Sequence, residues 1–422
     1  MPVGTSGFEG LLREIAPQAL GALTRRYGRF DLCEDAVQEA LLAAATQWPE
    51  SGIPDNPAAW LTTVAGRKLT DLMRSEQSRR QREQRDFVRE VPPAAPTPGI
   101  TRPEDRDDTL ITVFLCCHPD VKAPSQIALT LRAVGGLTTA EIARGLMIPE
   151  TTVAQRITRA KQRILDSGAR FRMPEPADRD HRLAAVLQVL YLIFNEGYTA
   201  SSGPDLQRVE LADEAIRLTR LLWSRLPDEL EVAGLLALML ITGSRRDARA
   251  DDAGDLIPLA DQDRARWDRT MITEGIALLE QVLPRHRPGS YQLQAAIAAC
   301  HAEAERYEDT DWPQIAALYG VLDRTSDDRM ITLNRAVAVA MADGPAAGLR
   351  LIAEVADHPQ LADHHRLFAV RAHLLEQSGD HAAAHQAYQE AARRTLSATE
   401  RRYLHSRAAR LNPPTCQTHT TS

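Results

Sequence analysis

The segment GLTTAEIARGLMIPETTVAQRITRAKQRI, residues 136–164, constrains the fold of this chain more tightly than any other. Thr138 and Glu141 have the spacing of a capping box, in which each side chain satisfies a backbone N–H at a helix start. Ile142 and Ala143 then face inward, Gly145 falls in the turn, and Pro149 opens a second helix where its missing N–H is no loss. Val153, Ile157, Ala160 and Ile164 recur at helical spacing on one face of that second helix. Gln155, Arg159 and Gln162 line the opposite face, flanked by Arg156 and Arg163. The pattern predicts a helix-turn-helix whose second helix can enter a major groove, Arg forking onto guanine and Gln onto adenine. An ordinary αα-hairpin with a wetted basic face shares the periodicity but does not call for cap, turn and charge together.

The rest of the chain also reads as helix, and the expected fold class is all-α. Aromatic residues are 5 % of the 422, and the 44 % apolar content leans on Ala and Leu, which favour helix over a β-sandwich. Ala36, Val37, Ala40, Leu41 and Ala44 share a face, as do Leu61, Ala65, Leu69 and Leu72. Residues 91–107 hold five prolines and little that is apolar, which marks a linker. A second proline-marked joint lies at 172–180. The expected domains are therefore 8–85, a linker over 86–107, a second basic unit over 108–172, and a long helical region over 181–411. The tail NPPTCQTHTTS is expected to be disordered.

Charge divides along the chain. Residues 1–172 carry a net +2 and residues 173–422 a net −9, which together give the −7 of the whole. Basic residues concentrate over 67–85 and 156–172. The longest apolar stretch, Val232 to Ile241, is about half of the roughly 20 residues a membrane-spanning helix needs. No signal-peptide pattern opens the chain, and five scattered cysteines suit a reducing, cytoplasmic setting.

Two basic helical units joined by a proline-rich linker are similar to bacterial sigma factors of the extracytoplasmic-function type. DLCEDAVQEALLAAATQW (31–48) and NPAAWLTTVAGRKLTDLMR (56–74) resemble their region 2, and the unit ending in the helix-turn-helix resembles their region 4. The resemblance implies a promoter-specificity subunit that binds core RNA polymerase and promoter DNA. It places polymerase contacts on Asp31, Glu34, Asp35, Gln38 and Glu39, an acidic face expected to be exposed. It assigns the −10 element to Arg67, Lys68, Asp71 and Arg74, with Arg79 and Arg80, then Arg82 and Arg85, continuing a phosphate track. Trp60 serves there either as a platform for an unstacked base or as core. The −35 readers would be Ala154, Gln155, Thr158 and Arg159, with Arg156 on phosphate and Arg163 beside them. Ala154 stands where the family often has a basic residue, which leaves the base preference open. The linker would thread toward the RNA exit path.

The region after 172 resembles a sigma subgroup with a tetratricopeptide-like extension, thought to regulate the factor in place of a membrane partner. Phe368, Ala372, Leu375, Gly379-Asp380, Ala384, Tyr388 and Ala391 stand at the offsets of one such repeat. Looser helix pairs are expected at 206–243, 268–304 and 311–357. A concave face of stacked helix pairs suits a protein or peptide partner. YLIFNEGY (191–198), DQDRARWDR (261–269), QLQAAIAAC (292–300), DTDW (309–312), LNRAVAVA (333–340) and FLCCHP (114–119) support the same subgroup. Cys116-Cys117-His118 and Cys300-His301 read as helix-end packing, since adjacent cysteines do not readily chelate one tetrahedral ion. Asp261, Asp263 and Asp268 with Arg264 and Arg266 read as solvated ion pairs, and Asn195-Glu196-Gly197 as a helix end with a glycine stop. No catalytic motif, metal site or cofactor fingerprint is found, so no enzyme, metal or cofactor is expected. A stand-alone helix-turn-helix regulator with a helical-repeat sensor is the alternative, and it leaves the first unit unused. An enzyme built on the repeats explains neither basic unit.

Overall fold

The computed structural model describes residues 5–83, 105–146, 148–199, 206–251, 254–285, 287–359 and 361–411. The expected linker over 86–107 lies largely outside the described residues; the tail NPPTCQTHTTS, Arg85 and Cys416 lie wholly outside them. Among the described residues there are eighteen α-helices and no strand. The chain divides into two compact units, Met1–Leu192 and Ile193–Ser422. The boundary falls inside a helix rather than at the 172–180 joint, and the two basic segments share one unit.

In the first unit, α1 (Thr5–Tyr27), α2 (Phe30–Ser51) and α3 (Pro57–Glu83) pack on one another. Ala36, Ala40 and Ala44 of α2 and Leu61, Ala65 and Leu69 of α3 are fully buried, as their spacing predicts. Leu41 is only half-buried. Gly28 (φ 69°) reverses the chain between α1 and α2, a conformation open to glycine because it has no Cβ. Then follow α4 (Asp105–Cys116), α5 (Ala123–Ala133), α6 (Thr139–Leu146), α7 (Glu150–Asp166) and α8 (Pro176–Tyr198). α4 packs on α1 and α7 on α2, so the two helical units on either side of the expected linker meet directly. Arg25 and Asp108 form an ion pair from α1 to α4, with the Asp108 side chain buried. Arg182 of α8 donates to the Phe114 carbonyl at 2.7 Å.

The second unit is a run of helices in which chain neighbours pack on chain neighbours. These are α9 (Val209–Arg225), α10 (Leu230–Gly243), α11 (Arg269–Val282), α12 (Ser290–Glu303) and α13 (Trp312–Asp323). α14 (Arg329–Asp343), α15 (Pro345–Val355), α16 (His365–Gln377), α17 (His381–Arg394) and α18 (Ala398–Leu411) follow. The apolar stretch Val232 to Ile241 is the buried heart of α10, apolar all round because α9, α11 and α12 cover it. Residues 311–357 hold three helices where a pair is expected. The repeat-like segment forms α16 and α17, with Ala372, Ala384, Tyr388 and Ala391 buried. Gly379 (φ 85°) makes their turn, and the Asp380 carboxylate caps α17 by accepting from the Ala383 N–H at 3.1 Å.

Small residues set how closely these helices approach. A Cβ placed on Gly348 of α15 would lie 2.5 Å from the Ala336 carbonyl oxygen and 2.7 Å from the Ala340 Cβ. A Cβ on Gly66 of α3 would meet only a methyl of Leu23 at 3.8 Å. Gly348→Ala should therefore cost about 1–3 kcal/mol through overpacking. Gly66→Ala should gain roughly 0.5–1 kcal/mol from helix propensity alone. Urea unfolding followed by circular dichroism checks that the two changes have opposite signs.

Candidate nucleic-acid and polymerase interface

The capping box forms as its spacing predicts. The Glu141 carboxylate accepts from the Thr138 N–H at 2.7 Å, and the Thr138 hydroxyl accepts from the Glu141 N–H at 3.1 Å. This box starts α6. Gly145 belongs to the last turn of α6 rather than to the connection, and Pro149 is the N-cap residue of α7, one position before the helix. Val153, Ile157, Ala160 and Ile164 are buried. Ala154, Gln155, Thr158, Arg159 and Arg163 are exposed and Arg156 is half-buried, so α7 turns its expected readers to solvent. Arg159, Gln162 and Arg163 line a groove shared with Asp120, Lys122 and Ser125 at the start of α5.

α3 has the same division. Arg67, Asp71 and Arg74 are exposed along one face, the last two 3.8 Å apart. Lys68 is half-buried and pairs with Glu39 of α2 at 3.2 Å. Trp60 is half-buried and packs edge-to-face on the buried Trp48, with ring centroids 5.1 Å apart, so one side of its ring is core. Arg79, Arg80 and Arg82 lie in α3, but their side chains are outside the described residues.

The acidic face expected to be exposed on α2 is divided by the fold. Glu34 is 2 % exposed. Its carboxylate accepts from Arg132 of α5 at 3.1 Å and from Lys161 of α7 at 3.0 Å. Lys161 also donates to Asp35 at 2.6 Å. The expectation of an exposed Glu34 is corrected because α7 packs on this face of α2 and removes it from water. Burial works against the Lys161 charge, but Glu34 and Asp35 outweigh it and hold the ammonium above the ordinary lysine pKa. Burial likewise raises the Asp35 carboxyl, against the opposing pull of Lys161. Asp31 is half-buried and bound to Arg29 at 2.8 Å. Burial opposes its ionisation, yet the Arg29 guanidinium keeps its carboxyl below the usual carboxylate range. Gln38 is half-buried, while Asp35 and Glu39 remain exposed. Beside them Leu42 is 70 % exposed, an apolar side chain on a charged surface.

Arg132, Lys161 and Leu42 were not singled out by sequence reasoning. Lys161 had a signal: it falls four residues after Ile157 and three before Ile164, inside the apolar stripe. Other motifs resolve into structure. Cys116 and Cys117 are buried at the end of α4, and burial pushes the Cys117 thiol up to about 12. Among the described residues no group of three His, Cys, Asp or Glu side chains is arranged to hold a metal ion. Asn195-Glu196-Gly197 lies in the last turn of α8, but Gly197 is not a stop. A Cβ there would lie 2.3 Å from the Ala212 nitrogen, so it allows α9 to approach, and Glu196 pairs with Arg208. The reading of Asp261 to Asp268 as solvated ion pairs is also corrected. Arg264 is 9 % exposed, and Asp263 and Asp268 cap helix starts.

Family models match three parts of the chain: sigma-70 region 2 over residues 11–79, sigma-70 region 4 over 114–164, and a family of unknown function, DUF6596, over 182–283. An uncharacterised protein of Rhizobium meliloti (strain 1021) is 42 % identical over 399 residues, covering 92 % of this chain and 92 % of its own length. No solved structure matches the chain significantly. The first two matches fall on the unit built from α1 to α7, in the order of a sigma factor. The chain belongs to the sigma-70 family, as an extracytoplasmic-function-like factor with a C-terminal extension.

The buried and exposed ion pairs should separate in a mutational cycle. Glu34→Gln takes the shared carboxylate from the half-buried Arg132 and leaves the buried Lys161 with Asp35 alone, and should cost about 3 kcal/mol. Glu34→Gln and Lys161→Met together should be non-additive by roughly 1–3 kcal/mol. Glu39→Ala, at an exposed pair, should change stability by less than about 1 kcal/mol. Chemical denaturation of the wild type, Glu34→Gln, Lys161→Met, their double variant and Glu39→Ala measures all three.

Proposed function

We propose that the chain binds core RNA polymerase and directs promoter-specific initiation in the cytoplasm. The observation that carries this is the outward face of α7, where Ala154, Gln155, Thr158, Arg159 and Arg163 are exposed in a chain whose residues 11–79 match sigma-70 region 2. These side chains, with Arg156 on phosphate, read the −35 element. Trp60, Arg67, Lys68, Asp71 and Arg74, continued by Arg79 and Arg80, hold the opened −10 strand. Asp35, Gln38 and Glu39 contact the polymerase, with Leu42 supplying apolar area at the same surface. Asp31 and Glu34, placed there by family resemblance, instead support α2 from within. Of the chain's helices, none among the described residues is long and apolar enough to cross a membrane.

In this reading, Lys161 ties the polymerase-facing helix to the −35 helix through Asp35, and core polymerase competes for that contact. The C-terminal extension regulates the factor and is also required for its activity. Its protein or peptide partner is the polymerase itself.

Run-off transcription with core polymerase, with and without the protein, is the direct test. DNA bound equally well without polymerase would favour the stand-alone regulator. Arg159→Ala should weaken −35 recognition by about 1–3 kcal/mol and relax preference at one base pair. Arg156→Ala should weaken all sequences alike and lower the salt slope by about one. Competitive filter binding over a salt series tells the two apart. A fluorescence distance reporter between α2 and α7 should lengthen on addition of core, and an unchanged distance means the Lys161 contact persists in the complex. Ending the chain after Tyr198 should abolish transcription; a truncated protein more active than the full chain would establish autoinhibition instead.

A further inference from the structure

Three segments of the C-terminal unit that the sigma reading leaves without a role meet in one place. They are DQDRARWDR (261–269), the end of α12 at Cys300-His301, and DTDW (309–312), whose Trp312 ring packs edge-on against the His301 imidazole with centroids 5.2 Å apart. Trp267 is 3 % exposed and lies under two guanidinium groups. The central carbon of Arg264 is 4.6 Å from the centre of the Trp267 rings, and that of Arg245, from the end of α10, is 5.8 Å away. Arg264 also donates to the carbonyls of His301 at 2.5 Å and Ala304 at 2.7 Å.

Two cations share one indole, and no carboxylate pairs with either among the described residues. The acids of the same segment are engaged elsewhere. Asp263 accepts from the Ala265 N–H and Asp268 from the N–H groups of Thr270 and Met271, each at a helix start. Asp309 is bound by Arg306 at 2.8 Å, and Glu308 is exposed. The third basic group is uncharged: burial, reinforced by Arg245 and Arg264, pushes His301 down to about 4.

The cluster also holds polar atoms that are buried and have no hydrogen-bond partner. They are Nε of Arg245, Nη2 of Arg264, Nε1 of Trp267, Nδ1 of His301 and Oγ1 of Thr310. Thr310 is 6 % exposed. Each such group left unsatisfied costs about as much as a lost hydrogen bond, and native interiors leave few of them. Five on these converging segments, beside two guanidiniums that form no ion pair and with Glu308 and Asp309 acting on Arg264 only at longer range, amount to a set of polar groups open to an acceptor with negative charge.

We propose that Arg245, Arg264, Trp267, His301 and Thr310 form a binding site for a small oxyanion, a phosphate or carboxylate group carried by a small molecule. The guanidiniums supply charge, and the indole N–H and the hydroxyl supply direction. Arg245 and His301 are half-buried, the more accessible members of the set. The site lies wholly in the extension, and its test reads binding rather than transcription, so it stands or falls separately from the sigma reading.

The full-length protein is titrated with inorganic phosphate and with succinate at matched ionic strength. Binding is followed by calorimetry and by the Trp267 indole N–H resonance, assigned by its loss in Trp267→Phe. At least one probe should move that resonance and raise the thermal midpoint by mass action. Arg245→Met should bind the same probe at least tenfold more weakly, as should Thr310→Val. With no anion present, Arg245→Met should raise the thermal midpoint, because it removes a cation held beside another. If Trp267→Phe does not fold, Arg245→Met and the calorimetry decide. An indole resonance that neither probe moves would mean that water alone satisfies these donors, and the proposal fails. Undiminished binding in both variants would place the anion elsewhere and also overturn it.

Discussion

The carboxylate of Glu34 sits out of water, held from one side by Arg132 and from the other by Lys161. The first unit depends on this contact more than on any other. Removing three charges from solvent carries a desolvation penalty that their attraction offsets only when the geometry is good. The net stabilisation is therefore modest, but the directional demand is strong: α2, α5 and α7 must meet in one register or leave a charge buried and alone. The apolar stripes of these helices would tolerate sliding. The ion pairs would not.

That constraint reorganises the surface. An acidic stripe on α2 becomes an inner part, Glu34, and an outer part, Asp35 and Glu39, with the exposed Leu42 alongside. Because Lys161 bridges the two parts, the outer face of α2 is electrostatically coupled to α7, the helix proposed to carry the −35 readers. In the proposed reading, the same residues hold the free protein together and meet the polymerase, so one contact is exchanged for the other.

The second unit is governed by close approach instead. Gly197 against Ala212 and Gly348 against Ala336 bring neighbouring helices nearer than a Cβ would permit. Ala-rich faces continue this along α16 and α17. Ion pairs such as Arg220 with Glu274 and Arg402 with Asp255 join the unit's helices and loops at the surface, where most of its charged side chains remain. Four charged side chains among its described residues are buried, Arg208, Glu214, Arg249 and Arg264, and Arg264, with the half-buried Arg245, lies over Trp267 without an ion pair. A fold built on small residues and dispersion has no evident need of these two arginines, which makes their position informative about binding rather than packing.

The sequence by itself determined the all-helical class, the helix-turn-helix with its capping box and the outward direction of Gln155, Arg159 and Gln162. It also determined the turn at Gly379-Asp380. All of these are local: helical periodicity, a cap three residues long and a glycine with positive φ are complete within a few turns of chain. Only tertiary structure decided that Glu34 is buried, that Gly197 is a contact rather than a stop, and that Asp263 and Asp268 cap helices while Arg264 lies inside. It also decided that the segments around Arg245, Trp267, His301 and Thr310 converge. Each of these depends on a partner fifteen or more residues away, or on which polar group captures a carboxylate first. Periodicity shows which face of a helix is apolar, but not what a charge at the edge of that face will meet.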